Sequence, residues 1–338
     1  MLDYRYIKEL TDEAGILQFS KLAIPDKRSG YTLDDNARAL IVSMYMDEGY
    51  QYAQKYIWYI KNSQQKDGSW SNFFLDGRFC SHFDSEDSIG RALLACSLAS
   101  SAPWPDIADL CQQIYENNIH KAISFRSPRA ISYALLAICK GNETLSKQKS
   151  ELLDKLKEYL FSLYEVNHSS KWLWFENYLT YCNGILPQAL FSVYTATGNR
   201  KALKIAHDSL NFLNSILFRN DYLNIVGNQG WYQRGGNIGL FDQQPVDAAS
   251  TVHACFEAYN AIGEPEYLEL ALKAYQWYRG RNIHGISLYD QNTGACFDAL
   301  SCDGVNKNRG AEAVLSLLLS DILMENFVEQ EKKVDKSS

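Results

Sequence analysis

The chain has 338 residues, 46% of them hydrophobic and 22% charged, a composition that builds a core and excludes a disordered protein. Thirty-three Lys and Arg against 40 Asp and Glu leave a formal charge of −7, which argues against a surface for nucleic-acid backbones. No apolar run reaches the roughly 18 residues of a membrane span, and Met1-Leu2-Asp3-Tyr4-Arg5 offers an early acid and no apolar stretch, so neither a membrane partner nor a secretory leader is expected.

The first segment with apolar residues at helical spacing covers about 4–19, and a long connection follows at 20–33. A different kind of segment then opens near 35 on Ala37-Arg38-Ala39-Leu40, rich in alanine and apolar on most sides, as a buried helix is. The alternation continues along the chain. One-sided helices are predicted at 50–63, 106–121, 149–165, 200–217 and 265–279. Buried ones start near 87, 128, 185, 246 and 310, opening on Gly90-Arg91-Ala92-Leu93, Pro128-Arg129-Ala130-Ile131, Pro187-Gln188-Ala189-Leu190, Asp247-Ala248-Ala249 and Ala311-Glu312-Ala313-Val314. Six inner and six outer helices alternating in sequence describe an all-α fold, an (α/α)6 barrel. It occupies residues 1–326 as a single domain, with 327–338 as a solvated tail.

The connections are unequal. Inner-to-outer turns such as Thr197-Gly198-Asn199 and Ile262-Gly263-Glu264 are tight, whereas outer-to-inner connections at 20–33, 64–86, 166–183, 218–245 and 280–308 are long. Long ordered loops in a compact domain carry function, and these all empty onto the N-terminal ends of the inner helices. They hold Asp34-Asp35-Asn36, Asp84-Ser85-Glu86-Asp87, Trp172 to Asn177, Asp242 to Asp247, Asp298 and Asn306 to Glu312, interleaved with Trp70, Phe73, Phe74, Phe83, Trp231, Tyr232, Phe241 and Tyr289. Carboxylates and amides that read hydroxyls, beside rings that stack on apolar sugar faces, suit an oligosaccharide or glycoside.

An acid at a helix start also serves as a cap. The doublets Asp34-Asp35 and Glu86-Asp87 exceed what one cap needs, and adjacent carboxylates raise one another's pKa, as a general acid requires. The candidate catalytic residues are Asp35, Asp87, Glu176, Asp247 and Glu312, with Asp87 assigned as acid and Asp247 as base. Candidate substrate-binding residues are Asp34, Arg38, Trp70, Arg91, Arg129, Trp174, Asn177, Trp231, Gln244, Tyr289 and Asn308. Arg38, Arg91 and Arg129 share one repeat position, where they either pair with the mouth acids or hold an anionic substrate.

The eight cysteines form no C-x-x-C pair and the six histidines (82, 120, 168, 207, 253, 284) lack ligand spacing, so no metal or other cofactor is expected. Reduced core thiols point to a cytoplasmic location.

The runs Gly30 to Ala39 (GYTLDDNARA), Trp174-Phe175-Glu176-Asn177, Asp242 to Ala249 (DQQPVDAA) and Asn306 to Glu312 (NKNRGAE) resemble a bacterial family of the six-hairpin glycosidase superfamily, over about residues 3–325. That resemblance implies an (α/α)6 toroid, carbohydrate context and association with glycosyltransferases and mannoside-processing enzymes. The superfamily's usual chemistry implies a glycoside hydrolase using an inverting carboxylate pair. The alternatives are a non-catalytic carbohydrate-binding or glycosyltransferase-associated domain, and a sugar epimerase, which needs a histidine pair for which His82 and His284 lie in suitable loops. Gln64-x3-Gly68-x-Trp70 also resembles the Gln-Trp repeat of terpene cyclases, but it occurs once.

Overall fold

The computed structural model describes residues 2–141 and 146–335. Among these, twelve α-helices run in order: α1 (Arg5–Leu10), α2 (Leu33–Ser43), α3 (Gly49–Ser63), α4 (Glu86–Ala99), α5 (Pro105–Asn118), α6 (Pro128–Lys140), α7 (Lys147–Asn167), α8 (Ile185–Thr197), α9 (Arg200–Leu217), α10 (Pro245–Ile262), α11 (Pro265–Gln276) and α12 (Ala311–Asp335). The even-numbered helices form the inner ring. Each packs on the next, and α12 returns to α2 to close it. The odd-numbered helices cover the ring, with the short α1 packed on α12. This is the (α/α)6 barrel that the alternation predicts, and the inner helices begin within two residues of the predicted starts.

Composition explains the two layers. In α6, ten consecutive residues from Arg129 to Ile138 are buried, whereas α7 buries only Leu153, Leu156, Lys157, Leu160, Phe161 and Tyr164, spaced three or four apart. Gly198 and Gly263 end α8 and α10 at φ +69° and +73°, a left-handed conformation that glycine adopts without strain, so the chain reverses at once into the next outer helix.

Short antiparallel pairings brace the long loops at the other end. Tyr31–Thr32 pairs with Phe73–Leu75, which pairs with Arg78–Cys80, and Tyr178–Leu179 pairs with Tyr232–Gln233. Ala299–Ser301 folds back on Gly304–Asn306.

Two expectations are corrected. The helix predicted over 4–19 ends at Leu10, because Thr11–Asp12 pairs with Gly15–Ile16 as a tight hairpin. Gly15 sits at φ +131°, where a Cβ would lie 2.3 Å from Asn36 Oδ1, the atom that accepts a hydrogen bond from Ile16 N. At the other end the tail expected from 327 is a continuation of α12 to Asp335, with Phe327 packed 5.3 Å from Phe256. Residues 336–338 of that tail lie outside the described residues.

Candidate active site at the barrel mouth

Three inner helices are capped by hydroxyls rather than by the neighbouring acids. Thr32, Ser85 and Ser127 accept from the backbone N–H of Asp35, Ser88 and Ala130. The first-turn carboxylates are thereby free for other partners: Glu86 accepts from the backbone N–H groups of Arg126 and Ser127, while Asp34, Asp35 and Asp87 line a cavity of about 870 Å3. Its wall comes from the starts of α2, α4, α10 and α12 and from the loops above them.

Ring closure sets the charge arrangement. Arg38, on α2, donates to Asp35 at 3.1 Å and reaches across the seam to Glu312, on α12, at 3.0 Å. Arg91 pairs with Asp34 at 2.5 Å, donates to the Tyr133 hydroxyl at 3.1 Å and lies 4.8 Å over the Tyr133 ring. Arg129, the third arginine of the repeat, pairs with Glu176 at 3.0 Å and donates to Tyr181 O and Thr180 Oγ1. Of the two readings of these arginines, pairing with carboxylates is what the structure contains.

Asp87 makes a different set of contacts. One of its oxygens accepts from Ser127 Oγ at 2.5 Å and the other from the Tyr181 hydroxyl at 2.6 Å. Asp298 stands in the loop before α12 and accepts from Gly310 N. Burial pushes the Asp298 carboxyl up to about 6; the Gly310 N–H opposes the shift and the nearby Glu312 charge adds to it. Burial likewise raises Asp35 to about 7, against the pull of Arg38.

Asp247 is raised to about 7 by burial, although Cys182 N donates to it at 2.6 Å. An acid raised in the folded state favours folding fully below its unfolded value of 3.8, and that contribution is lost as pH climbs through about 7. The melting temperature is therefore expected to fall between pH 5 and pH 8, and Asp247→Asn, which keeps an acceptor for Cys182 N, to flatten the decline. An equal slope in the variant would show that folding does not raise the Asp247 carboxyl above its unfolded value.

Seven of the sequence-predicted residues line the cavity: Asp34, Asp35, Arg38, Asp87, Arg91, Gln244 and Glu312. The others lie elsewhere. Glu176 and Arg129 are consumed by each other, and Asp247 sits under Cys182. Asn177 is exposed, with its carbonyl accepting from Arg234 N. Asn308 holds the backbone of Leu22, and Tyr289 donates to Asp3.

The expectation that Trp174 and one of Trp70, Trp231 and Tyr289 line the pocket is corrected. Trp174 is fully buried, 5.3 Å from Phe175 and 6.4 Å from Phe212 of α9, and Trp70 is buried as well. Trp231 is partly exposed but outside the cavity wall. The rings that do line it are Phe19, Phe83 and Tyr181. Asp242 and Asp298, which stand among the mouth acids, line it too, although the sequence offered no reason to choose them over the doublets. Tyr181 carried no signal; its role follows from the turn that brings it to Asp87.

Among the described residues no histidine lines the cavity. His82 packs on Phe83, and His284 stacks on Phe241 with Nε2 2.8 Å from Ser301 O. Among the described residues no group of three or more His, Cys, Asp or Glu is placed to hold a metal ion, and no helix is long and apolar enough to cross a membrane.

No protein-family model matches the chain, and no curated protein matches it in sequence. Solved structures match over nearly the whole length. A cellobiose 2-epimerase from Bacillus thermoamylovorans superposes with a TM-score of 0.70 at 9% identity, covering 95% of each chain. A sugar epimerase from a ruminal bacterium gives 0.69 at 14% identity, over 94% of this chain and 95% of the other. A family 76 α-mannanase from Bacteroides thetaiotaomicron gives 0.68 at 13% identity, over 97% and 94%. The fold is the (α/α)6 toroid of these enzymes. At such identities the likeness concerns the fold; the chemistry rests on the side chains of this chain.

Proposed function

We propose that the protein is carbohydrate-active and, more narrowly, a glycoside hydrolase whose inverting pair is Asp298 and Asp87. The observation that carries this reading is the contrast between two carboxylates of one cavity. Asp298 is pushed up to about 6, whereas Asp87 is held through both oxygens by hydroxyl donors. A carboxyl raised by burial suits the acid, and a carboxylate oriented by two hydroxyl donors suits the base. Asp298 gives its proton to the glycosidic oxygen as the bond to the anomeric carbon breaks. Asp87 takes a proton from the water that attacks that carbon, with Ser127 and Tyr181 holding its orientation. The roles differ from the sequence assignment of Asp87 as acid and Asp247 as base, since Asp247 lies beneath the backbone of Cys182.

The epimerases of the same fold make a second reading natural. A histidine proton shuttle at this mouth is disfavoured because, among the described residues, no histidine lines the cavity. A binding module finds its support in the ion pairs that tie up Asp34, Asp35 and Glu312, and Asp87 and Asp298 are what set the hydrolase apart from it.

The test is a screen of gluco-, manno- and galacto-oligosaccharides for new reducing ends, followed by a pH–rate profile on whichever is cleaved. Activity is expected to decline above about pH 6, as Asp298 loses its proton, and to be lost in Asp298→Asn. Turnover that keeps rising past pH 8, or survives in the variant, would remove Asp298 from the acid role.

A further inference from the structure

The mouth cavity contains six carboxylates, on Asp34, Asp35, Asp87, Asp242, Asp298 and Glu312, and two cations, Arg38 and Arg91. Both cations are already engaged. Arg38 gives NH1 to Asp35 and NH2 to Glu312. Arg91 gives NH1 to Asp34 and Nε to Tyr133, and its NH2 faces the Cys182 sulfur at 3.7 Å. Both are buried in the wall, so neither guanidinium can swing out to meet a ligand without leaving its carboxylates unpaired. The other polar side chains of the wall are neutral hydroxyls and amides, such as Thr32, Asn72 and Gln244.

At the rim stand two large apolar rings. Phe19 is 51% and Phe83 62% exposed, and Phe83 holds φ +62°, a conformation that bulky residues rarely keep. A ring held open to solvent over a polar cavity offers a face to the apolar side of a pyranose.

We propose that this cavity is a site for sugars without negative charge, uncharged or bearing an amine, and that it rejects uronic acids and phosphorylated or sulfated sugars. The proposal rests on the carbohydrate reading and adds the substrate's charge class to it. Sugar hydroxyls and ammonium groups are donors that the surplus carboxylates accept, and the charged donor forms the stronger hydrogen bonds. An anionic group entering the same space gives up its water to face carboxylates that outnumber the two guanidiniums even with Asp35 and Asp298 protonated, and both guanidiniums of the described wall are already engaged.

The experiment is calorimetric titration of the whole protein at pH 7 and low salt. The ligands are methyl glycosides of the gluco, manno and galacto series, each in its neutral, 2-amino and 6-uronate form. For whichever configuration binds, the neutral and amino members are expected to bind and the uronate to be at least about tenfold weaker. Asp242→Asn, which retains an acceptor for Gln229 Nε2, is expected to narrow the gap between amine and uronate. A uronate that binds as tightly as its neutral counterpart would overturn the charge inference while leaving a sugar cavity in place. A gap unaltered by Asp242→Asn would locate the selectivity outside this cavity and overturn it as well. Failure of all nine glycosides would take down the carbohydrate reading and the inference together.

Discussion

Replacing Asp87 with asparagine is expected to lower turnover of a cleaved glycoside by about 10²–10⁴-fold, the range for removal of a positioned general base. The substitution preserves size and leaves the α4 cap untouched, because Ser85 supplies that cap. What changes is the hydrogen bonding. An amide presents one acceptor oxygen, so Ser127 Oγ and the Tyr181 hydroxyl cannot both keep donating as they do to the carboxylate. Both hydroxyls can rotate and accept from the new NH2 group, so the melting temperature is expected to stay close to that of the parent. Unchanged turnover with unchanged stability would exclude Asp87 as the base.

Trp174→Ala is expected to act on stability instead. The indole is fully buried against Phe175 and Phe212, so its removal opens a cavity under the 166–183 loop and costs about 3–5 kcal/mol. Trp174→Phe should cost much less, since it keeps a ring and deletes an indole N–H that has no hydrogen-bond partner. Sugar affinity measured well below the melting transition is expected to match the parent in both variants. A weakened affinity with an unchanged melting temperature would place the ring against the ligand and reverse the assignment.

The helical alternation was readable because the two layers demand different compositions. A segment such as α6 is buried nearly all round and α7 along one stripe, and each leaves its own period in the sequence. The glycines that end α8 and α10 were readable for an equally local reason. The hairpin at Thr11–Ile16 was not, because its decisive contact is between Gly15 and Asn36 of α2, outside any local window.

The mouth itself was visible from loop lengths, and seven of its candidate residues line the cavity. Partner choice was hidden. Arg38 reaches Glu312 only because the ring closes between α2 and α12, a contact spanning 274 positions of sequence. The tryptophans misled for a different reason. Residence in a long loop does not entail exposure: loops of this length have their own undersides, and Trp174 is buried in one of them. Phe83 occupies such a loop as well and is exposed, held there by a left-handed backbone that its sequence does not announce.

The most direct test of the account is a crystal structure of Asp87→Asn with an uncleaved neutral oligosaccharide. The glycosidic oxygen is expected within hydrogen-bond reach of Asp298, with a water between residue 87 and the anomeric carbon and the two side chains about 6.5–9.5 Å apart on either side of the bond. A sugar bound with its scissile bond away from both side chains, or outside the mouth altogether, would contradict it.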